Sequence, residues 1–458
     1  MIRIVGCAVV LLLVAVRGVG QSPGAARIPD PLAKERVAST LQELASDAMA
    51  GRDTPSPELD RAAELLVARL KAAGVQPGGK GGSYFHTYRK AAARLAQAGI
   101  AVRVTGPDGK ELVLRPDQDV RVFRVGRAYE VRDTEVERAG PAQLARRGAQ
   151  QGAAQRRPLF LEVPEDGAVW QAHAKAVTRL ARGGRGGAPW LLVRKGVLPE
   201  GALRATIAIP EPESVEVELR NVVAVLPGTQ RAEEHVLLSA HYDHVGIGTP
   251  NGDDAIYNGA DDNATGTTAV LLLAEKLAGT PQPRSVTFAF FSGEEKGLIG
   301  SRAFADDPPF PLERIVANLN LEMLGRPKPN ERFQAWLTGR GLSDLESIVA
   351  PALRAEGVEV VAFPMEAMLF QASDNFSLAA KGVVAHSLSA GHLHADYHKP
   401  DDEVDRIDTE HMARVLRGLH AATKVLASGG TVPRWNEEER KRLRLPQGES
   451  AASQPSIR

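Results

Sequence analysis

The chain has 458 residues, enough for two or three domains of ordinary size or for one large domain carrying an insertion. Its make-up, 43% hydrophobic and 24% charged, is that of a folded soluble protein. Lys and Arg together number 56, as do Asp and Glu, so net charge argues against nucleic acid or an anionic membrane as partner.

The opening "MIRIVGCAVVLLLVAVRGVGQSPG" has an early arginine, an apolar run from Ile4 to Val16, and small residues through Gly20. This is the layout of a secretory signal peptide over residues 1–20, which predicts export to the periplasm or the extracellular space. The run is shorter than the about 20 residues a bilayer span needs, so an uncleaved anchor is the poorer alternative. Cys7, the single cysteine, lies inside this run rather than after it, which argues against lipid modification. A mature chain without cysteine has no disulfides, and any metal site in it must use His, Asp and Glu.

Residues 32–47 and 57–74 carry apolar positions at helical spacing, with Ser56 as cap and Gly74 as stop for the second helix. Together, residues 29–90 read as a helical N-terminal part. Over 91–219 the pattern changes to short alternating segments, "AGIAVRVTG", "KELVLRP" and "SVEVELR", separated by the linker-like "ARRGAQQGAAQRRP" and "ARGGRGGAP". This stretch reads as an inserted, mainly β module. From about 220 to 428 strands and helices alternate, which predicts an α/β fold with a mostly parallel sheet and helices on both faces. The tail over 429–458 is polar and reads as frayed.

In such sheets functional groups gather at the carboxyl ends of strands, and several ends here carry metal-binding types. The run "FAFFSGEE" ends in Glu294 and Glu295, "HVLLSAHYDH" in His241, Tyr242, Asp243 and His244, and "ANLNLE" in Glu322. "GADDNATG" puts Asp261 and Asp262 before a helix, and "HADYHKP" puts His398 before the last one. Imidazoles and carboxylates without thiols suit one or two zinc ions, and an aspartate in a rigid turn, Asp261 or Asp262, can bridge a pair. Asp243, two residues after His241, shares its face on a strand and can orient its ring. The same alternation sends His244 to the opposite face. One glutamate of the adjacent pair binds metal, and the other takes a proton from metal-activated water. Three histidines compete in the last loop, His392, His394 and His398, and Ser373-Asp374-Asn375 either shapes the site or caps a turn. No "GxSxG" elbow and no "GxxxxGK[ST]" loop occurs, which argues against serine catalysis and phosphate binding.

The ordered set "HYDH", "GADDNATG", "SGEE", "NLEM" and "DYH" resembles the co-catalytic di-zinc aminopeptidase family, which includes bacterial secreted aminopeptidases, glutamate carboxypeptidase and glutaminyl cyclase. The resemblance covers most of residues 221–425. It implies a peptidase with two zinc ions, held by His241, Asp262, Glu295, Glu322 and His398, with Asp262 bridging. By the same resemblance Glu294 is the general base and Tyr397 steadies the oxyanion; family position favours His398 over its two rivals, which leaves His394 as a candidate substrate contact. The insertion occupies the place of a protease-associated domain, without a convincing sequence match. Glu322 stands where the family often has aspartate, which leaves exopeptidase specificity less secure than hydrolysis. The expected substrate is a peptide. A carboxypeptidase or dipeptidase using Arg326 or Arg340, a glutaminyl cyclase with one zinc, and a non-catalytic binding module remain as alternatives.

Overall fold

A computed structural model describes residues 30–124, 127–140, 157–172, 176–180, 188–252 and 254–446. The signal-peptide stretch, most of both linker-like segments and the end of the tail lie outside the described residues.

A ten-stranded mixed sheet forms the backbone of the molecule. Its centre is parallel: Ala385–Ser389, Ile315–Glu322, Arg231–His241 and Arg284–Phe291 lie side by side in that order. The arms are antiparallel. On one side the long strand Glu213–Leu226 pairs with Arg284–Phe291 and then with Phe85–Ala96. On the other, Gln334–Leu337 runs against Ala385–Ser389. The expectation of a mostly parallel sheet thus holds for the four central strands. The flanks turn antiparallel because strand 213–226 enters the sheet directly from the β-rich region, without a helical crossover.

Helices cover both faces, and period-two sorting of side chains explains how. Along Arg231–His241, Val236, Leu238 and Ala240 face one core while Leu237 faces the other. The first core takes helices Lys34–Leu44, Pro57–Ala72, Gly266–Leu277, Leu345–Ala355 and Thr409–Ala427. The second takes the shorter Ile299–Asp306 and Asn375–Ala379. Helix Pro57–Ala72 starts where Ser56 accepts a hydrogen bond from the Leu59 amide, and its proline sits in the first turn, where no amide partner is needed. No helix among the described residues is long and apolar enough to cross a membrane.

Residues 101–209 carry two four-stranded sheets. Val102, Val104, Ile207 and Leu114 of one meet Val120, Val122, Leu191 and Phe160 of the other in a shared core. A third cluster joins Trp170, Trp190 and Leu192 to Ala255 of the hairpin Gly246–Asn251/Asp254–Tyr257. The module therefore touches the loop that follows the His241 strand. Residues 430–446 are not frayed: Trp435 donates to the Gly382 carbonyl, and a short helix, Glu437–Arg442, buries Arg440.

Two core histidines make folding pH-dependent. Burial pushes His235, stacked on Phe310 and bonded to Thr287, down to about 4, and it pushes His386 down to about 4 as well. A histidine held below its unfolded value contributes stability above that value and loses it as pH falls. The loss should run from about pH 6.5 toward 4, at up to about 3 kcal/mol per histidine. Urea unfolding at stepped pH should show a shallower acid loss in His235→Phe than in the unsubstituted protein.

Candidate metal centre

The sheet edge that carries the site is built by backbone clamps. Helix Gly266–Leu277 starts so close to the strand Ile315–Glu322 that a Cβ on Gly266 would lie 2.1 Å from the Leu321 carbonyl oxygen. Asn263 locks this approach. Its Nδ2 donates to that same carbonyl at 2.9 Å, and its Oδ1 accepts from the amides of Gly266 and Met323. Asp402 clamps the other side, with its buried carboxylate accepting the amides of Asp261 and Asp262 at 3.1 Å. Arg52, fully buried, donates to the carbonyls of Leu44, Tyr242, Asn258 and Gly259, and so ties the N-terminal part to both site loops. These contacts fix Asp262 between two ligand groups.

One group is His241, Asp262 and Glu322: His241 Nε2 lies 3.3 Å from Asp262 Oδ1 and 3.4 Å from Glu322 Oε2. The second is His244, Asp262, Glu295 and His398. His398 Nε2 is 3.0 Å from both Asp262 Oδ2 and Glu295 Oε1, and His244 Nδ1 is 2.9 Å from Glu295 Oε1. Within each group the candidate ligand atoms all lie within 4.8 Å of one another. Four ligands at zinc distances on a tetrahedron stand about 3.3–3.6 Å apart, close to the observed spacings. The two oxygens of Asp262 face different groups, as a bridge requires.

The electrostatics also call for cations. Burial drives Asp262 toward its neutral form, yet the neighbouring His241 and His398 hold it well below the usual carboxylate range. Burial likewise opposes ionisation of Glu295, while His244 and His398 bring it down to about 2. Burial disfavours charge on His398, but Asp262 and Glu295 pull it up to about 10. Positive charge is what keeps this cluster ionised, and a divalent ion provides it more compactly than imidazolium. Both ring nitrogens of His244, Asp262 Oδ2 and His398 Nε2 are buried, and although they stand close to one another's groups they make no well-directed hydrogen bond. Buried polar atoms of this kind ask for a ligand, so the residues present fit metal ions.

All eight residues singled out in the sequence come to this edge, with three differences. His244 joins the cluster, because the strand ends at His241 and alternation no longer governs the next three residues. The His241 ring is 3.1 Å from the Asp243 carbonyl and 3.7 Å from its carboxylate. That carboxylate accepts instead from Thr54 and from the Glu294 amide, so it positions the glutamate loop. His394 is buried against Asp261 and Arg326 rather than exposed to substrate, and its neighbour His392 faces the cleft. Ser373 shapes the site by donating to Glu322 Oε1 at 2.6 Å, where Asn320 also donates. Asp402, Arg52 and Thr54 escaped sequence reading, since they sit in no periodic pattern and act on backbone groups far away in the chain.

Residues 221–423 match the sequence profile of Peptidase family M28. The match spans a little under half of the chain, and over it the sequence is similar to that family. The matched region aligns at 26% identity over 201 residues with a probable leucine aminopeptidase of Arthroderma otae, covering 42% of this chain and 53% of that protein. It aligns at 25% over 202 residues with aminopeptidase YwaD of Bacillus subtilis, covering 42% of this chain and 41% of that protein. The chain thus spans about half, or less, of the length of these curated relatives. Among solved structures, a zinc aminopeptidase from Bacillus subtilis superposes with a TM-score of 0.53 at 18% identity, over 86% of this chain and 95% of that one. At that identity the likeness is one of fold.

Glu294 and Tyr397 stand at the cleft beside this centre. Burial and the surrounding carboxylates push the Glu294 carboxyl well above its ordinary value, against the opposing effect of His241. Tyr397 is 38% exposed and stacks on His398 at 3.9 Å. The cleft encloses about 630 Å³ of space open to solvent, with His241, Asp262, Glu294 and Glu322 at one end.

Asp402→Ala should leave two buried amides unpaired, at about 1–3 kcal/mol each. It should also weaken metal binding about 10–100-fold, as loss of a group that orients a ligand does. Metal-affinity titration by competition with a chromophoric chelator reads the second effect directly.

Proposed function

We propose that the chain is an exported, zinc-dependent aminopeptidase with two ions, one per ligand group, sharing Asp262. The reading of export rests on the first 20 residues. Bound zinc would polarise the scissile carbonyl and acidify a water at the cleft end of the centre. Glu294, at the cleft end of the centre, takes the proton from that water and hands it to the departing amine. Tyr397, at the mouth, reaches toward the developing oxyanion. Ser373 and Asn320 hold Glu322 in place. The β-rich module over 101–209 is an accessory unit packed against the hairpin beside the site.

The observation that carries the choice of an amino terminus is the lining of the cleft. Three carboxylates, Asp262, Glu294 and Glu322, line it, and no lysine or arginine does so among the described residues. Such a surface suits a substrate's ammonium group and offers nothing to a terminal carboxylate. The two cations that a carboxypeptidase would recruit are engaged elsewhere: Arg326 pairs with Asp396 at 2.8 Å and Arg340 with Glu346 at 2.8 Å. Met323, Trp336, Leu369 and Leu393 give the far wall an apolar character, which favours an apolar first residue.

Amino-acid anilides and N-blocked peptides, assayed with and without a chelator, test this reading. Hydrolysis of free-amine substrates only, abolished by chelation and lowered about 10²–10⁴-fold in Glu294→Gln with metal content unchanged, is the expected result. Cleavage of N-blocked peptides, or turnover indifferent to Glu294, would overturn it.

A further inference from the structure

The two ligand groups are unequal. The His241 group has three residues, and the His244 group has four, counting the shared Asp262 in each. They also differ in placement. His241, Asp262 and Glu322 line the cleft, whereas His244 and Glu295 are buried outside its lining and His398 is half-buried beside it. Zinc sites with four protein ligands are closed and static, while sites with three keep a position open for water or substrate.

We propose that His244 is a fourth protein ligand, which closes one metal position and leaves the exchangeable, substrate-facing ion to His241 and Glu322. This rests on the two-ion reading above. His244 is placed for the task by its surroundings. Its amide donates to the Arg52 carbonyl at 3.2 Å, and its backbone forms a bridge with Asp53. Its ring lies flat against Gly259, where a Cβ would come within 2.4 Å of ring carbons. The ring is fully buried, and Nδ1 points at the carboxylates, 2.9 Å from Glu295 Oε1 and 3.9 Å from Asp262 Oδ2, without the angle of a well-directed hydrogen bond. An imidazole aimed into a carboxylate pair without a well-directed hydrogen bond has the chemistry of a ligand rather than of a packing residue. The His398 ring meets it nearly edge-on, centroids 5.4 Å apart, so the two imidazoles approach the same point from different directions.

The test uses the purified full chain loaded with Zn²⁺ and dialysed against rising concentrations of a chelator, with metal counted by mass spectrometry. The expected course is two steps, one equivalent leaving first and the second held to at least about tenfold higher chelator. X-ray absorption at the zinc edge of the one-equivalent form should then show two imidazoles per ion. In His244→Ala the second equivalent should leave together with the first, in a single step at the lower chelator concentration. A single release step, or one imidazole per ion in the unsubstituted one-equivalent protein, overturns the proposal whether or not the variant folds. His244→Asn gives a second variant with a hydrogen-bonding side chain, and retention equal to the unsubstituted protein there would overturn it too. Failure of the functional reading looks different: no zinc bound at all, or zinc bound without peptide hydrolysis.

Discussion

A single buried carboxylate, Asp262, divides its two oxygens between two clusters of imidazole and carboxylate groups, and most of the surrounding structure serves that division. A carboxylate so deep in protein is neutral unless positive charge lies on both sides of it. Asn263 and Asp402 hold its backbone from opposite directions, and Arg52 pins the adjoining loops from beneath. None of these three residues touches the cleft. They convert a flexible turn into a fixed support, so that His241 and Glu322 can converge from one side and His398 and Glu295 from the other.

The fold explains why residues so far apart in the chain can meet. Four parallel central strands all end at the same edge, and each end delivers one or two polar side chains. The cores above and below are apolar and closely packed, which makes that edge rigid. Rigidity matters for a centre whose ligands must hold like charges close together. The antiparallel arms extend the sheet away from the site without disturbing its central register, and the β-rich module adds two sheets of its own.

Much of this was legible in the sequence, and the reason is specific. Apolar runs ending abruptly in His241, Glu294-Glu295 and Glu322 read as strand ends, and a parallel sheet brings strand ends together. The alternation rule failed at His244 because it presumes that a strand continues, and the backbone leaves the sheet at His241. The same failure misassigned the contact of Asp243, whose carboxylate turns toward Thr54 and the Glu294 amide. Asp402, four residues past His398, acts only through backbone amides some 140 residues earlier in the chain. No local pattern announces such a partner. The segment 430–446 is polar in composition, yet Trp435 and Arg440 anchor it through contacts with the Gly382 and Leu445 carbonyls, which composition does not reveal.

The central claim is that Asp262 lies between two ions. The most direct measurement is anomalous diffraction at the zinc edge from crystals of the zinc-loaded protein. Two peaks flanking the Asp262 carboxylate, about 3.5–4 Å apart as in two-metal sites, are predicted. A single peak, or peaks remote from Asp262, would contradict the account.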